Sequence, residues 1–444
     1  MSAAADHRLL VTPEAAGATS LQGRLRVPGD KSISHRAIML GAIAVGETAV
    51  SGFLEGADAL ATLGAFRGMG VRIEGPDRGE VRVEGVGLGG LTMPEGPLDM
   101  GNSGTSMRLL AGLLAGQSFP ATLIGDASLT RRPMRRVTEP LTLMGARIGT
   151  SEQGTAPLTI APASGLTGID YQMPVASAQV KSSLLLAGLY ASGETCVTEP
   201  APTRDHTERM LAAFGYPVRR VANRVCVTGG GRLMGCRLQI PGDISSAAFF
   251  LVGASIAPGS DLTLEGVGMN PTRVGVINIL RAMGADIEVV DQRTAGGEPV
   301  ADLRVRAAEL KGIAIPVDQV PLAIDEFPAL FIAAACATGE TVLRGAEELR
   351  VKESDRIQVM ADGLGALGVR AEPLADGIRI QGGPIGAGTV ESHGDHRIAM
   401  AFAVAGLRAG GPIEVRDCAN VETSFPGFAP LAASVGLPIR ELRP

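Results

Sequence analysis

The apolar positions of this chain follow one pattern that recurs six times. Each copy has a polar or charged start, then a run of small apolar residues with helical spacing, then a glycine-rich turn. These first-type segments span residues 30–46, 101–116, 176–193, 242–259, 325–339 and 394–410. Because the runs are apolar nearly all round, we predict that they form buried helices.

A second pattern alternates with the first. Its copies are amphipathic at helical spacing, and each ends in a glycine that is followed by apolar, β-prone residues. These second-type segments span residues 58–70, 137–145, 205–215, 273–284, 354–368 and 428–436. We predict half-exposed helices whose final glycines are C′ caps that lead into short strands. The resulting repeat of helix, strand, helix and strands has a period of roughly 65–80 residues, longer than the usual solenoid repeat.

Six such repeats in 444 residues suit two domains of three repeats each, in an α/β (α+β) fold. The tripeptides Pro28-Gly29-Asp30 and Pro241-Gly242-Asp243 are alike, so we place the two chain crossings there. The first domain is then discontinuous, residues 1–29 plus 242–444, and the second spans residues 30–241. The strand-like stretch from Leu21 to Val27 therefore belongs with the C-terminal half. Because no long linker is visible, we expect the functional site in a cleft between the two domains.

Composition narrows the class of protein. Hydrophobic residues make up 45% of the chain and charged residues 19%, and the net charge is −6. An acidic chain with 3% aromatic residues is a poor match for a nucleic-acid-binding protein. No apolar run is long enough to cross a membrane, and the N-terminus lacks the pattern of a signal peptide. We therefore expect a cytoplasmic protein with no membrane or nucleic-acid partner.

The cysteines indicate the same compartment. The five are Cys196, Cys226, Cys236, Cys336 and Cys418. Their number is odd and no pair has C-x-x-C spacing, which argues for a reducing compartment and against a disulfide framework or a zinc site.

Polar residues that a structural helix does not need gather at the starts of the first-type segments. The first start carries Lys31, Ser32 and Arg36 directly after a Pro-Gly turn. A helix N-terminus offers free N–H groups and the positive end of the helix dipole, so this pattern is typical of a phosphate or carboxylate site. An ordinary capped helix with solvated charges explains this single start equally well.

The other starts extend the pattern. The second, residues 101–108, is a small-residue turn that lets backbone N–H groups approach an anion. The third carries Ser177, Gln179 and Lys181, the fifth opens with Asp325, and the sixth opens with residues 395–397. N-capping by Ser, Asn and Asp explains about half of these positions, but it does not explain the cations.

Two further stretches are denser in charge. Residues 128–136 carry four arginines, and residues 349–356 place Lys352 and Arg356 one helical turn apart beside Glu353. The plain alternatives are a solvated basic loop and i,i+4 pairing on a helix surface. Cations are nevertheless concentrated at these motifs of an acidic chain: Lys31, Arg36, Arg132, Lys352, Arg356 and Arg397. Their sum indicates a small substrate with two or three negative charges, and Asp325 and Glu353 are the candidates for proton transfer.

Residues 28–36, 101–108, 350–356 and 395–397 in combination resemble the motifs of the 5-enolpyruvylshikimate-3-phosphate (EPSP) synthase family, the 3-phosphoshikimate 1-carboxyvinyltransferases. The resemblance runs from about Leu21 to Pro426. Residues 177–179 and 203–208 look like the second bacterial class of that family. The resemblance implies the enolpyruvyl transferase fold, with two pseudo-symmetric domains of three βαβαββ-type repeats, buried parallel helices, and closure over the substrates.

The resemblance also implies an activity. In the family, shikimate 3-phosphate and phosphoenolpyruvate react through a tetrahedral addition intermediate, phosphate is released, and the product serves the shikimate pathway to chorismate and aromatic amino acids. It implies no metal, no organic cofactor and a monomer. Closure would exclude water, and a dense set of cations would bring two mutually repelling anions together.

Residue roles are implied by the resemblance as well. For shikimate 3-phosphate it implies Lys31, Ser32, Arg36, Ser177, Ala178, Gln179, Arg204, Asp325 and Lys352. For phosphoenolpyruvate it implies Lys31, Gly104, Arg132, Gln179, Arg356 and Arg397. The implied catalytic residues are Lys31, Asp325 and Glu353. Asp325 would deprotonate the attacking 5-hydroxyl, and Glu353 would protonate the methylene carbon and later remove that proton, with Lys31 as the alternative donor.

Two positions depart from the family pattern. Thr423 stands where many members carry a lysine, and Glu348 replaces an asparagine of the shikimate-binding turn. Gly104 leaves room beside phosphoenolpyruvate, so we expect the analogue inhibitor glyphosate to enter. His35 has no role in these motifs, and we expect it to serve packing or solvent contact.

Two other functions fit parts of the pattern. A UDP-N-acetylglucosamine enolpyruvyl transferase would share the fold, but that family usually has Lys-Asn where this chain has Lys31-Ser32, and a loop cysteine that residues 128–136 lack. A non-catalytic phosphometabolite sensor would be marked by loss of Lys31, Asp325 or Glu353, and all three are present.

Overall fold

A computed structural model describes residues 7–13 and 19–443. The helices in chain order are α1 (Lys31–Ala42), α2 (Ala57–Gly68), α3 (Gly104–Ala115), α4 (Ala127–Thr130), α5 (Arg135–Leu143), α6 (Ala178–Gly188), α7 (His206–Ala213), α8 (Ile244–Ile256), α9 (Gly275–Ala282), α10 (Phe327–Cys336), α11 (Arg356–Ala366), α12 (His396–Ala405), α13 (Val421–Ser424) and α14 (Phe428–Ser434). Short 3₁₀ turns lie at Val317–Gln319 and Glu347–Val351.

The strands are short and numerous. In chain order they are β1 (Arg8–Val11), β2 (Gln22–Leu25), β3 (Val45–Ser51), β4 (Arg72–Asp77), β5 (Glu80–Val86), β6 (Leu98–Asp99), β7 (Ala121–Ile124), β8 (Arg147–Gly149), β9 (Leu158–Ala161), β10 (Leu166–Thr167), β11 (Asp170–Gln172), β12 (Ala191–Ser192), β13 (Glu194–Thr198), β14 (Arg219–Val221), β15 (Arg224–Thr228), β16 (Arg237–Gln239), β17 (Asp261–Gly268), β18 (Asp286–Ala295), β19 (Glu298–Arg306), β20 (Glu340–Leu343), β21 (Ala371–Leu374), β22 (Gly377–Gln381), β23 (Gly388–Glu391), β24 (Ile413–Arg416) and β25 (Ile439–Leu442).

The chain divides into two compact units. Unit 1 consists of Met1–Pro28, Pro241–Thr294 and Pro299–Pro444, and unit 2 of Gly29–Ile240 with Ala295–Glu298. Each unit has its own large cluster of buried apolar side chains. The chain therefore passes between units after Pro28 and before Pro241, at the two Pro-Gly-Asp tripeptides, and twice more on either side of Ala295–Glu298.

Unit 2 contains three four-stranded sheets built to one plan. Their orders are β16-β3-β5-β4, β6-β7-β9-β8 and β11-β13-β15-β14. In each sheet the first two strands are parallel and the later pairs are antiparallel. A two-stranded parallel pair, β10-β12, accompanies them. This recurrence confirms three repeats within the unit.

Unit 1 follows the same plan. Its sheets have the orders β18-β19-β17-β2, β20-β22-β21 and β23-β24-β1-β25, and a parallel bridge between Ala314 and Val342 takes the fourth place in the three-stranded sheet. The N-terminal strand β2 pairs in parallel with β17, with Leu25 opposite Leu264. This pairing confirms that the predicted strand over residues 21–27 belongs with the C-terminal half.

The six first-type segments form the helices α1, α3, α6, α8, α10 and α12, and they are buried as predicted. All 13 residues of α8 are buried. Helices α3 and α6 pack so closely that a Cβ added at Gly112 would lie 2.0 Å from the carbonyl oxygen of Ser183. A residue larger than glycine is therefore excluded at position 112 unless the two helices move apart.

The second-type segments form α2, α5, α7, α9, α11 and α14. The glycine after each helix has a positive φ, from 76° at Gly215 to 112° at Gly436. Glycine adopts this left-handed conformation without a Cβ penalty, so the predicted C′ caps are confirmed. Among the helices of residues 7–13 and 19–443, none is both long and apolar enough to cross a membrane.

One expectation about the cysteines is wrong. Cys196 and Cys226 form a disulfide, with their Cα atoms 4.1 Å apart, whereas the sequence predicted no disulfide. The two residues lie opposite each other on the antiparallel strands β13 and β15. They are 30 residues apart, so only the strand register brings them together. Glu194 completes a group with metal-ligand spacing, but the disulfide occupies both sulfurs.

Candidate active site

The first helix start of unit 2 is organised by carboxylates. Asp30 caps α1 by accepting a hydrogen bond of 2.9 Å from the Ile33 amide. Lys31, the first residue of α1, forms an ion pair with Asp58 in the first turn of α2. The cation predicted from the motif is thus anchored by a carboxylate to which no role was assigned from the sequence. The sequence feature that could have identified Asp58 is its place as the first residue of the second-type segment at residues 58–70.

Arg36 lies one turn further along α1 and is 4% exposed. Its Nε donates to Thr207 Oγ1 at 2.7 Å, and its Nη2 donates to Ser182 Oγ at 2.8 Å. Its Nη1 donates to the Ser32 carbonyl at 2.9 Å, which ties the two predicted carboxylate ligands together. Burial lowers the pKa of Arg36 to about 10, although nearby carboxylates, Glu208 foremost, oppose that shift.

His35 is fully buried, and its Nδ1 lies 2.7 Å from Thr62 Oγ1. Burial lowers the pKa of His35 well below its usual value, and Lys31 and Arg36 act in the same direction. Of the two uses that we expected for His35, packing or solvent contact, its complete burial supports packing.

Around Gly104, the start of α3 meets the start of α6. Arg132 Nη2 donates to Asn102 Oδ1 at 2.7 Å, and a Cβ added at Gly104 would lie 3.3 Å from Arg132 Nη1. The same Cβ would lie 2.9 Å from Arg108 Nη1, which donates to Gln179 Oε1 at 2.6 Å. Two guanidinium groups and an amide thus border the space beside Gly104. Arg108 closes the motif at residues 101–108, but no role was predicted for it.

The start of α6 carries the remaining predicted residues of unit 2. Ser177 is its N-cap, accepting from the Val180 amide at 3.4 Å, and Ala178 and Gln179 open the first turn. Gln179 Nε2 donates to Thr105 Oγ1 at 3.0 Å. Arg204 is half-buried, two residues before α7.

In unit 1 the predicted residues gather around one arginine. Arg356 is 1% exposed, and its Nε donates to Asp395 Oδ2 at 2.8 Å. Its Nη2 donates to Glu353 Oε2 at 2.6 Å, and its Nη1 lies 3.4 Å from Asp325 Oδ1. Burial alone would lower the pKa of this guanidinium, but the three carboxylates together raise that pKa above its ordinary value. Arg356 is therefore a permanent buried cation that holds both candidate proton-transfer groups.

The other predicted cations of unit 1 border Asp325. Lys352 Nζ lies 3.5 Å from Asp325 Oδ1. Arg397 Nη1 donates to the Asp325 carbonyl at 3.0 Å, and the Arg397 amide donates to Asp395 Oδ1 at 3.0 Å. Asp395 therefore caps α12 and also binds Arg356.

Both departures from the family pattern have definite contacts. Glu348 Oε1 accepts from Lys352 Nζ at 3.0 Å, so a carboxylate replaces a neutral amide beside this cation. The hydroxyl of Thr423 donates to the Asn420 carbonyl at 2.6 Å and supplies no charge.

A buried cluster at the start of α8 was missed by sequence reasoning. Arg273 Nη2 donates to Ser245 Oγ at 2.7 Å and to Asp243 Oδ1 at 3.1 Å. Ser245 also donates to Glu326, the residue after Asp325. The sequence feature that could have indicated this cluster is Arg273, a cation at the first position of the second-type segment at residues 273–284.

Comparison with known proteins gives a consistent picture. The family model for EPSP synthase (3-phosphoshikimate 1-carboxyvinyltransferase) matches residues 15–431. A 3-phosphoshikimate 1-carboxyvinyltransferase of Alkalilimnicola ehrlichii is 73% identical over 419 residues, which cover 94% of this chain and 94% of the relative. The enzyme of the same name from Methylococcus capsulatus is 70% identical over 419 residues, covering 94% and 96%.

Solved structures agree. EPSP synthase from Acinetobacter baumannii superposes with a TM-score of 0.89 at 58% identity, over 98% of this chain and 100% of that chain. The enolpyruvyl transferase NikO from Streptomyces tendae has a TM-score of 0.80 at 16% identity, over 99% and 100% of the two chains. The second likeness supports the fold alone.

Proposed function

This chain belongs to the EPSP synthase family, and from that membership we propose how its side chains carry out the family's reaction. The chain transfers the enolpyruvyl group of phosphoenolpyruvate to the 5-hydroxyl of shikimate 3-phosphate and releases phosphate. The reaction belongs to the shikimate pathway, which supplies chorismate and the aromatic amino acids.

Shikimate 3-phosphate is held by residues of both units in this proposal. Ser32 and Arg36 bind its carboxylate, and the hydrogen bond from Arg36 to the Ser32 carbonyl supports their acting together. Ser177 and Arg204 bind its phosphate, with Ala178 and Gln179 beside them at the start of α6.

The substrate's hydroxyls are met by Asp325 and Lys352, which lie 3.5 Å apart. Glu348 changes this part of the site, because it places a second carboxylate on Lys352. The positive charge of Lys352 is therefore compensated more fully than that of a lysine beside a neutral amide, which weakens its attraction for the substrate.

Phosphoenolpyruvate is bound by cations in this proposal: Lys31, Arg132, Arg356 and Arg397, with Gln179 and the backbone at Gly104. Arginine suits this task because its fork of N–H groups matches carboxylate and phosphate oxygens. Lys31 contacts both substrates.

Proton transfer is assigned to two carboxylates. Asp325 takes the proton of the 5-hydroxyl as its oxygen bonds to C2 of phosphoenolpyruvate, and Glu353 gives a proton to C3, which becomes a methyl group. In the second step Glu353 takes a proton back from that methyl group, the C2–C3 double bond returns, and the C2–O bond to phosphate breaks. The leaving phosphate takes the proton that Asp325 removed from the 5-hydroxyl, so both carboxyl groups return to their starting states. The observation that carries this assignment is that one buried arginine, Arg356, contacts both carboxylates, at 3.4 Å and 2.6 Å.

We also propose that the chain works as a cytoplasmic monomer without metal or organic cofactor. The reaction balances with the atoms of the two substrates and the protons of the two carboxyl groups, so it needs no oxidant, reductant or other co-reactant. That the two sets of residues meet in a cleft between the domains stays a prediction.

The test of the proposed function is phosphate release from phosphoenolpyruvate with two alternative acceptors. We expect release with shikimate 3-phosphate and none above background with UDP-N-acetylglucosamine. Release with the second acceptor alone would refute the proposal. Release without any acceptor would indicate a phosphatase instead.

A further inference from the structure

The guanidinium of Arg36 sits in a closed set of hydroxyl contacts. Its Nε and Nη2 donate to Thr207 Oγ1 and Ser182 Oγ, and the Thr207 hydroxyl donates in turn to Ser182 Oγ at 2.7 Å. Ser182 comes from α6 and Thr207 from α7, and all three side chains are buried. The two hydroxyls and the Ser32 carbonyl thus accept from all three nitrogens of the guanidinium, which constrains its orientation.

An ion cluster lies beside these hydroxyls in the sequence and in space. Lys181, the neighbour of Ser182, is fully buried, and its Nζ lies 2.8 Å from Glu199 Oε1 and 2.7 Å from Glu208 Oε1. Glu208 is the neighbour of Thr207. The Glu199 contact is a hydrogen bond, whereas the Glu208 contact is an ion pair without hydrogen-bond geometry.

Lys181, Glu199 and Glu208 together carry one net negative charge. Arg36 compensates that charge, and Glu208 is the carboxylate that acts most strongly on its guanidinium. Buried ion pairs contribute little net stability, because desolvation offsets the attraction between the charges. The ion pair between Lys181 and Glu208 joins α6 to α7, and each of its residues is adjacent to a residue whose hydroxyl contacts Arg36.

The cluster also reaches the second predicted cation for the same substrate. Glu199 accepts a hydrogen bond from the hydroxyl of Thr203, the residue before Arg204. The contacts of Arg36 and those of Lys181 therefore involve adjacent residues of α6 and α7, and the second set reaches the chain segment that carries Arg204.

We propose that Ser182 and Thr207 are positioning residues for shikimate 3-phosphate, which act by fixing the Arg36 guanidinium, and that the ion cluster of Lys181, Glu199 and Glu208 holds the helices that present them. This inference rests on the proposed function, because it needs Arg36 to bind that substrate. The physical reason is preorganisation: a long side chain that is already fixed loses little freedom when the substrate binds.

The test compares isosteric and conservative variants of Thr207. Thr207→Val removes the hydroxyl, and we expect the KM for shikimate 3-phosphate to rise about tenfold, the order expected for losing one hydrogen bond to a charged group. The KM for phosphoenolpyruvate and kcat should stay within about twofold. Thr207→Ser keeps the hydroxyl and should restore the parent KM. The matched control is Thr195→Val, because Thr195 is fully buried in the same unit and its Oγ1 has no hydrogen-bond partner among the described residues.

A double-mutant cycle separates positioning from general packing. In an Arg36→Met background, Thr207→Val should raise the KM for shikimate 3-phosphate no further. An equal rise in both backgrounds, or a change in the KM for both substrates, would overturn the proposal. If Thr207→Val does not fold, Ser182→Ala tests the other hydroxyl contact of Arg36, at its Nη2, in the same cycle.

The assays distinguish an absent activity from an absent positioning role. If the parent protein makes no product from shikimate 3-phosphate, the proposed function is wrong. If the parent is active and neither Thr207→Val nor Ser182→Ala shifts the KM for shikimate 3-phosphate beyond twofold, the function stands and the positioning role is wrong.

Discussion

Replacing Glu353 with glutamine should separate substrate binding from proton transfer. Glu353 Oε2 accepts a hydrogen bond of 2.6 Å from Arg356 Nη2, and the amide oxygen of glutamine can accept the same bond. The side chain should therefore keep its place, while the group loses the ability to give a proton to C3 and take it back.

The size of the effect depends on the groups that remain. A positioned general acid or base contributes roughly 10²- to 10⁴-fold, so we expect kcat to fall about a thousandfold, or about 4 kcal/mol. Arg356 keeps Asp395, at 2.8 Å from its Nε, and Asp325, at 3.4 Å from its Nη1, so the buried cation stays compensated. We therefore expect the free energy of unfolding to change by no more than about 1–2 kcal/mol.

The assay is phosphate release at saturating substrates, paired with calorimetric binding of shikimate 3-phosphate, whose affinity should stay within about threefold. Glu347→Gln is the matched control, because Glu347 is exposed on the neighbouring 3₁₀ turn and has no proposed role. A kcat within tenfold of the parent value would remove Glu353 from the mechanism. A large loss of affinity would make it a binding residue instead.

Three further predictions concern other parts of the chain. Lys31→Met should raise the KM for both substrates and lower kcat, each about tenfold or more, because one cation faces both anions. Steady-state constants equal to those of the parent would show that Lys31 has no role in the reaction. Gly104→Ala places a Cβ 2.9 Å from Arg108 Nη1, so this side chain must shift, and the KM for phosphoenolpyruvate should rise several-fold with an unchanged thermal midpoint; an unchanged KM would contradict this. Thiol titration in denaturant should find three thiols before reduction and five after it, and five at the outset would show that Cys196 and Cys226 are not paired.

Much of the fold could be predicted because short stretches of sequence determine where its helices begin, end and are buried. The first-type segments are apolar on every side, so burial could be inferred from composition alone, as in α8. The second-type helices end where a glycine supplies a positive φ, as at Gly215. The repeat could be identified because each copy has a polar helix start and ends in a glycine.

The missing parts depend on contacts between residues far apart in the chain. The hydroxyls that hold Arg36 lie 146 and 171 residues away from it, and no local pattern identifies Ser182 or Thr207 as its partners. The Cys196–Cys226 pair needs the register of two strands. Spacing rules detect neighbours in sequence, so they found the cations of the candidate site but not the side chains that hold them.

Enolpyruvyl transfer by addition and elimination can be tested by running the reaction in D₂O. Addition converts the methylene carbon of phosphoenolpyruvate into a methyl group with one proton from an exchangeable carboxyl group, and elimination removes one of the three protons. We expect a product whose mass corresponds to enolpyruvyl transfer to shikimate 3-phosphate, with deuterium in its methylene group. A product of that mass without deuterium would contradict the addition–elimination route, and the absence of that product would contradict the function.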